Sequence, residues 1–159
     1  MWTQNGIFEA VVSRFNVRAY GILLHRNKIL VSDEYIRGMA VTKFPGGGLE
    51  FGEGLLECLV REFREELGME VETSSHFYTT DFFVASAFDH TSQVISVYYN
   101  VTVGEPEKIP VTAGPHEYEK KHGAQVFRWI PLNELSEDDL TLAIDKKVAG
   151  LVAENHRNG

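Results

Sequence analysis

Glu62, Glu65 and Glu66 are the residues whose types and spacing could do chemistry. On a helix, at about 100° per residue, they share one arc of about 100°, directly beside an apolar stripe. Like charges three and four residues apart cost about 0.2 to 0.5 kcal/mol each, and partial burial beside a core raises that cost. Such a cluster asks for a positive partner. Arg61 and Arg64 supply part of it within the helix, Arg61 reaching Glu57 or Glu65 by i,i±4 spacing. The remainder suits a hard divalent cation, Mg²⁺ first and Mn²⁺ second, because the cluster offers oxygen ligands without histidine or cysteine. Mg²⁺ usually completes its shell with waters and substrate phosphates, so a phosphate ester or anhydride is the expected substrate.

The helix that carries these acids is predicted over residues 55–67, where Leu56, Leu59, Val60, Phe63 and Leu67 recur at helical spacing and Gly68 suits the C-terminal cap. Gly46, Gly47, Gly48 and Gly52 precede it, a loop able to bring backbone close to a metal-bound phosphate. No Gly-Lys-Ser/Thr follows and no G-x-G-x-x-G is present, which sets aside the two common phosphate-loop folds. Before the helix, residues 17–24 and 28–33 read as a β-hairpin around His25-Arg26-Asn27. After it, strands are predicted over 77–87 and 94–103, with Ile95, Val97, Tyr99, Val101 and Val103 alternating on one face. Residues 104–123 form a long loop, a length more often functional than decorative. A short strand follows over 125–130, ended by Pro131. Ser136 then caps a last helix with Leu140, Ile144, Val148 and Leu151 as its buried stripe. Strands, helix and strands in this order give an α/β sandwich, expected to be a single domain over residues 1–159.

The composition bounds what the fold can serve. With 159 residues, 43% of them hydrophobic, the chain can bury roughly 70% of its unfolded surface and needs no staple. A net charge of −8 opposes a nonspecific grip on nucleic acid or anionic membrane, so a polyanionic ligand must be met locally. The single cysteine, Cys58, reads as packing and asks for no oxidising compartment. Residues 1–12 lack a basic and apolar leader, and no run approaches the length of a spanning helix, so the expected place is the cytoplasm.

Gly47, Glu53, Arg61, Glu62, Glu65, Glu66 and Gly68 occupy the fixed positions of G-x5-E-x7-R-E-U-x-E-E-x-G-U, where U is bulky and aliphatic. The segment resembles the Nudix box of MutT-like hydrolases, the one loose fit being aromatic Phe63. Phe44-Pro45-Gly46-Gly47 is similar to the family's usual lead-in, and Trp129-Ile130-Pro131-Leu132 to its exit strand. The resemblance implies an α/β/α sandwich with a mixed sheet. It also implies cleavage of a nucleoside diphosphate linked to another moiety by metal-activated water, with Mg²⁺ or Mn²⁺. By the same resemblance, Gly46 (through its carbonyl), Glu62, Glu65 and Glu66 hold the metal, and Glu62 and Glu65 are the catalytic acids. Gly47, Glu53, Arg61 and Gly68 are structural, Glu53 and Arg61 holding loop against helix.

Many relatives carry one more Glu in the strand before the exit motif, whereas here that strand reads Ala124-Gln125-Val126-Phe127-Arg128. Glu117 and Glu119 in the long loop are the candidates to replace it, with His116 and His122 behind them. Tyr98, Phe82, Phe83 and Tyr118 are aromatic candidates for a base, and Lys43, Arg18, Arg128, Lys120 and Lys121 basic candidates for phosphate. His25 and His90 read as turn residues. An isomerase of the same fold needs a cysteine outside the box and is disfavoured. A non-hydrolytic nucleotide-binding regulatory module is the alternative, disfavoured by the complete set of box acids. The expected partner is a small nucleotide derivative, with no nucleic acid and no membrane, and a homodimer is expected through the N-terminal strands.

Overall fold

Alternation along the first strand sorts its side chains into two cores. In β1 (Arg14–His25), Ala19 and Leu23 face one side, while Tyr20 and Ile22 face the other, as the two-residue period of a strand requires. A computed structural model describes residues 11–159, and the expected lack of a leader over residues 1–12 falls mostly outside the described residues. β1 turns through Arg26 and Asn27, both at positive φ, into β2 (Lys28–Ile36). β3 (Met39–Lys43), β4 (Gly46–Gly48), β5 (Val71–Thr79), β6 (Ser92–Val103) and β7 (Gln125–Pro131) complete one mixed sheet. Its main order is β3-β2-β1-β6-β5, with β4 paired to β1 and β7 to β2. Only β1 and β6 run parallel among these pairs.

The β1–β2 pairing is confined to the hairpin end, at Leu24↔Ile29 and His25↔Lys28. Beyond it the strands part, β1 pairing with β4 and β2 with β3 and β7. α1 (Leu55–Leu67) covers one face and α2 (Ala143–Asn158) the other, giving the expected α/β/α sandwich. α1 ends at Gly68, whose left-handed φ of 64° turns its amide to the carbonyls of Arg64 and Phe63.

Several details differ from the sequence reading, beginning with β3 and with the glycine run, expected as loop, which pairs with β1 as the short strand β4. The buried stripe of α1 runs through Cys58, Leu59, Phe63 and Leu67, and Leu56 is exposed, because the flank that packs against the Gly47 and Gly48 carbonyls is the one carrying Cys58. The second strand region begins at Val71 and stops at Thr79, so only Ala85 of residues 80–87 pairs, in a single bridge to Gln93. The polar run Glu72-Thr73-Ser74-Ser75 gives no apolar alternation because β5 is an exposed edge strand. Ser136 caps a short 3₁₀ turn over Glu137–Asp139 through a reciprocal bond with Asp139, and α2 starts only at Ala143. Its buried face therefore includes Asp145, Val152 and Ala153, while Leu151 is half-buried. Among the described residues no helix is long and apolar enough to cross a membrane.

Candidate active site

The loop before α1 is fixed to the helix by one guanidinium. Arg61 donates from Nε to Glu53 Oε2 at 2.9 Å and from Nη2 to Glu53 Oε1 at 2.7 Å, a bidentate pair, and Nη2 also reaches the Gly48 carbonyl at 3.0 Å. Its Nη1 lies 3.1 Å from Glu62 Oε1, 3.3 Å from Glu65 Oε2 and 3.6 Å from Glu50 Oε1. Hydrogen bonding to Arg61 holds the Glu53 carboxyl down at about 2. One cation thus faces four carboxylates, and the excess is negative.

Two glycines make the loop possible. Gly46 has φ of +140°, and a Cβ there would sit 2.1 Å from the Ala19 carbonyl oxygen. A Cβ on Gly47 would sit 2.4 Å from Glu62 Oε1, so only glycine lets that carboxylate lie against the loop. Cys58 is fully buried behind this loop, and burial pushes its thiol up to about 11, as a packing residue should be. Phe63, the loose fit in the box, rests where a Cβ on Gly21 would meet its ring at 2.5 Å. The missing side chain on β1 is what admits an aromatic residue.

Glu66 approaches from the end of α1. Its Oε2 accepts the Gly46 amide at 3.3 Å, and burial together with Glu62 and Glu34 raises its carboxyl to about 7 against the pull of Lys43. On the other side of Gly46, the buried Lys43 donates from Nζ to the Gly46 carbonyl at 3.1 Å and pairs with Glu34 Oε1 at 3.1 Å. Glu34 is the acid missed in the sequence. The exit strand carries Gln125 where an acid was sought, and Glu34 is its direct partner on β2, joined to Gln125 Nε2 at 2.7 Å. The signal lay in cross-strand register, which no local spacing reveals.

A cavity of about 600 Å³ opens from Lys43 and Glu34 between the parted strands β1 and β2, reaching α2. Arg18, Tyr20, Tyr98 and Asp145 line it. The Tyr98 hydroxyl donates to Asp145 Oδ1, while Oδ2 has no partner among the described residues and burial raises this carboxyl to about 6. Arg18 donates to the Tyr20 hydroxyl. Of the other aromatic candidates, Phe82 and Phe83 are exposed and do not line the cavity.

The long loop is pinned elsewhere. Asp33, fully buried, accepts from Arg128 Nε at 2.7 Å, Thr42 Oγ1 at 2.6 Å and the His116 amide at 3.1 Å. Burial opposes ionisation of Asp33, but these donors win and hold its carboxyl below the usual range. His116, at φ of 54°, also bonds the Tyr118 hydroxyl, which donates to the Glu34 carbonyl. Glu117 caps its own loop by accepting the Gly114 amide at 2.7 Å, and neither Glu117 nor Glu119 lines the cavity. His122 does line it and accepts the Arg37 amide at 3.2 Å. Lys120, Lys121 and His90 are exposed, and His25 packs its ring 5.9 Å from that of Trp129.

The structure therefore gathers Glu62, Glu66 and the Gly46 backbone around one loop and leaves Glu65 on the exposed side with Arg61. Among the described residues no three acidic, histidine or cysteine side chains converge into a cage. The donor set still fits Mg²⁺ or Mn²⁺, since Mg²⁺ is commonly held by one or two carboxylates plus water and substrate phosphate. The four carboxylates around Arg61 outnumber its one positive charge, so the box carries a net negative charge.

A family model describing the NUDIX domain matches residues 13–150. The fold is similar to that of a MutT from work on Aliivibrio salmonicida and Vibrio cholerae, at 18% identity and a TM-score of 0.62, covering 89% of this chain and 99% of that one. A MutT NUDIX hydrolase from Burkholderia pseudomallei is similar at 18% identity and a TM-score of 0.63, covering 86% and 96%. A MutT protein from Bacillus halodurans is similar at 19% identity and 0.60, covering 86% and 82%. The match over most of its length, on a chain whose box loop and helix are joined as described, shows that this chain belongs to the Nudix family and is a hydrolase of pyrophosphate bonds.

Proposed function

We propose that the chain, as a single domain, is a Mg²⁺- or Mn²⁺-dependent pyrophosphohydrolase of nucleoside diphosphate derivatives. The candidates are nucleoside triphosphates, ADP-ribose, nucleotide sugars and dinucleoside polyphosphates. The observation that carries this reading is one guanidinium facing four carboxylates, close to a half-buried Glu66 at the Gly46 backbone. Glu62, Glu65, Glu66 and the Gly46 carbonyl would hold the cation, and Gly47, Glu53, Arg61 and Gly68 would keep them in place. When bound, the cation supplies a lowered water pKa and charge neutralisation on the phosphate oxygens. Glu62 is the favoured base, because its carboxylate lies against the Gly47 backbone beside the loop, whereas Glu117 is spent on its own turn. Lys43 and Arg18 offer positive charge to phosphate within an acidic protein, and the apolar walls of the cavity, Tyr20 and Tyr98 among them, offer space for the linked moiety.

The test is product release from a panel of those four substrate classes with Mg²⁺, with Mn²⁺ and with EDTA. Metal-dependent cleavage of any member is the expected result. Binding without cleavage across the panel would replace this reading with the regulatory module. The reading also includes a homodimer through the N-terminal strands, supported by the exposed Phe15 on β1. Light scattering at two concentrations is expected to give twice the chain mass, and a constant monomer mass removes it.

A further inference from the structure

Lys43 is placed where a divalent cation would be placed. Its side chain is 5% exposed, and its Nζ sits 3.1 Å from the Gly46 carbonyl oxygen and 3.1 Å from Glu34 Oε1. The same nitrogen lies 5.4 Å from the centre of the Tyr20 ring, an arrangement that favours a cation. Burying an ammonium is costly unless it is paired and hydrogen-bonded, and here both conditions are met by groups that the proposed metal site would use or adjoin. Gly46 is held from both ends, its amide by Glu66 and its carbonyl by Lys43. The carbonyl has two lone pairs, but an ammonium and a divalent cation brought to the same oxygen repel each other strongly. Lys43 also lines the cavity, so its ammonium has somewhere to go.

We propose that Lys43 is a resident counter-ion: its ammonium occupies the Gly46 carbonyl and Glu34 in the metal-free protein, leaves that carbonyl when a divalent cation binds, and then faces substrate phosphate in the adjoining cavity. The inference rests on the reading above that the Gly46, Glu62 and Glu66 cluster binds a divalent cation. It assigns Lys43 two effects of opposite sign. The ammonium weakens metal binding in the absence of substrate and strengthens substrate binding once metal is present. A residue that merely supports the loop would weaken both when removed.

The experiment is calorimetric titration of the full chain with Mn²⁺, without substrate, for the native protein and Lys43→Met, followed by kcat and KM on the best substrate of the panel. Lys43→Met is expected to bind Mn²⁺ at least about fivefold more tightly, since one positive charge and one competitor for the carbonyl are gone. Its KM is expected to rise by about tenfold, the size of one lost charged contact, with a smaller change in kcat. Unchanged or weaker Mn²⁺ binding in the variant, with binding by the native chain intact, overturns the role of Lys43 alone. No Mn²⁺ binding by the native chain overturns the metal-site reading itself. If Lys43→Met fails to fold, the native protein decides: the ¹⁵N signal of the buried Lys43 ammonium should shift on saturation with Mg²⁺, and an unmoved signal contradicts the proposal.

Discussion

Two arginine–carboxylate clusters hold this protein together, and they are built on opposite plans. Arg61 joins residues of one continuous segment and faces more acid than it can neutralise: Glu50, Glu53, Glu62 and Glu65. Arg128 joins β7 to Asp33 on β2, across 95 positions of sequence, and the carboxylate it meets is also satisfied by Thr42 and the His116 amide. The second cluster is complete. A complete buried cluster anchors structure, here the loop that carries His116 and Tyr118. An incomplete one, with four carboxylates on one guanidinium, leaves charge for something that arrives from outside. This contrast separates the two arginines, which share the same bidentate geometry.

The strongest way to break the contrast is at Glu65. Glu65→Gln is expected to cut turnover by orders of magnitude while the metal-free protein melts at the same or a higher temperature, through relief of repulsion. Turnover equal to the native value would return Glu65 to an ordinary surface pair. Arg128→Met should do the reverse, costing about 3–5 kcal/mol in urea unfolding because Asp33 is left charged and buried, with kcat of the folded protein within a few-fold of native. A variant that keeps its stability but loses turnover would place the Asp33 cluster in the active site. Arg61→Lys keeps the charge and loses the fork, and kcat/KM should fall by about 10- to 100-fold as Glu53, Glu62 and Glu65 lose their alignment. Steady-state kinetics on that variant sharpen the claim that Arg61 orients and does not bind phosphate.

The smallest expected effect is a slope. Asp145 is raised from 3.8 to about 6 in the folded protein, chiefly by burial. The folded state therefore holds that proton more tightly than the unfolded one. Stability should decline as pH rises from below 4 to above 6 and stop changing on this account beyond that. Asp145→Asn is expected to flatten this decline, measured as the urea midpoint in EDTA across that range. An identical slope in the variant would assign the decline to Glu66 and other groups.

The same contrast explains what the sequence could reveal. The Arg61 cluster was legible because every partner lies within one loop and helix, where spacing alone fixes geometry. Its register on the core was less so: Leu56 and Cys58 exchange places because the glycine loop, and not the sheet, covers that flank. The Phe63 misfit made sense only once Gly21, on another element, stood beneath it. The Arg128 cluster draws on β2, β3, the long loop and β7, and no single window of sequence contains it. Glu34 was invisible for that reason too, standing opposite Gln125 across a ladder. Ser136 is a cap, but of the 3₁₀ turn and not of α2, since that turn takes its bonds and Leu140 then breaks away in extended backbone before α2.

The most direct test of the central claim, that the excess carboxylate at the box awaits a divalent cation, is a Mn²⁺ titration of the native chain and of Glu66→Gln in the absence of substrate. The account predicts saturable binding by the native protein and at least about tenfold weaker binding by the variant. Equal affinity in the two proteins, or no binding by either, would contradict it.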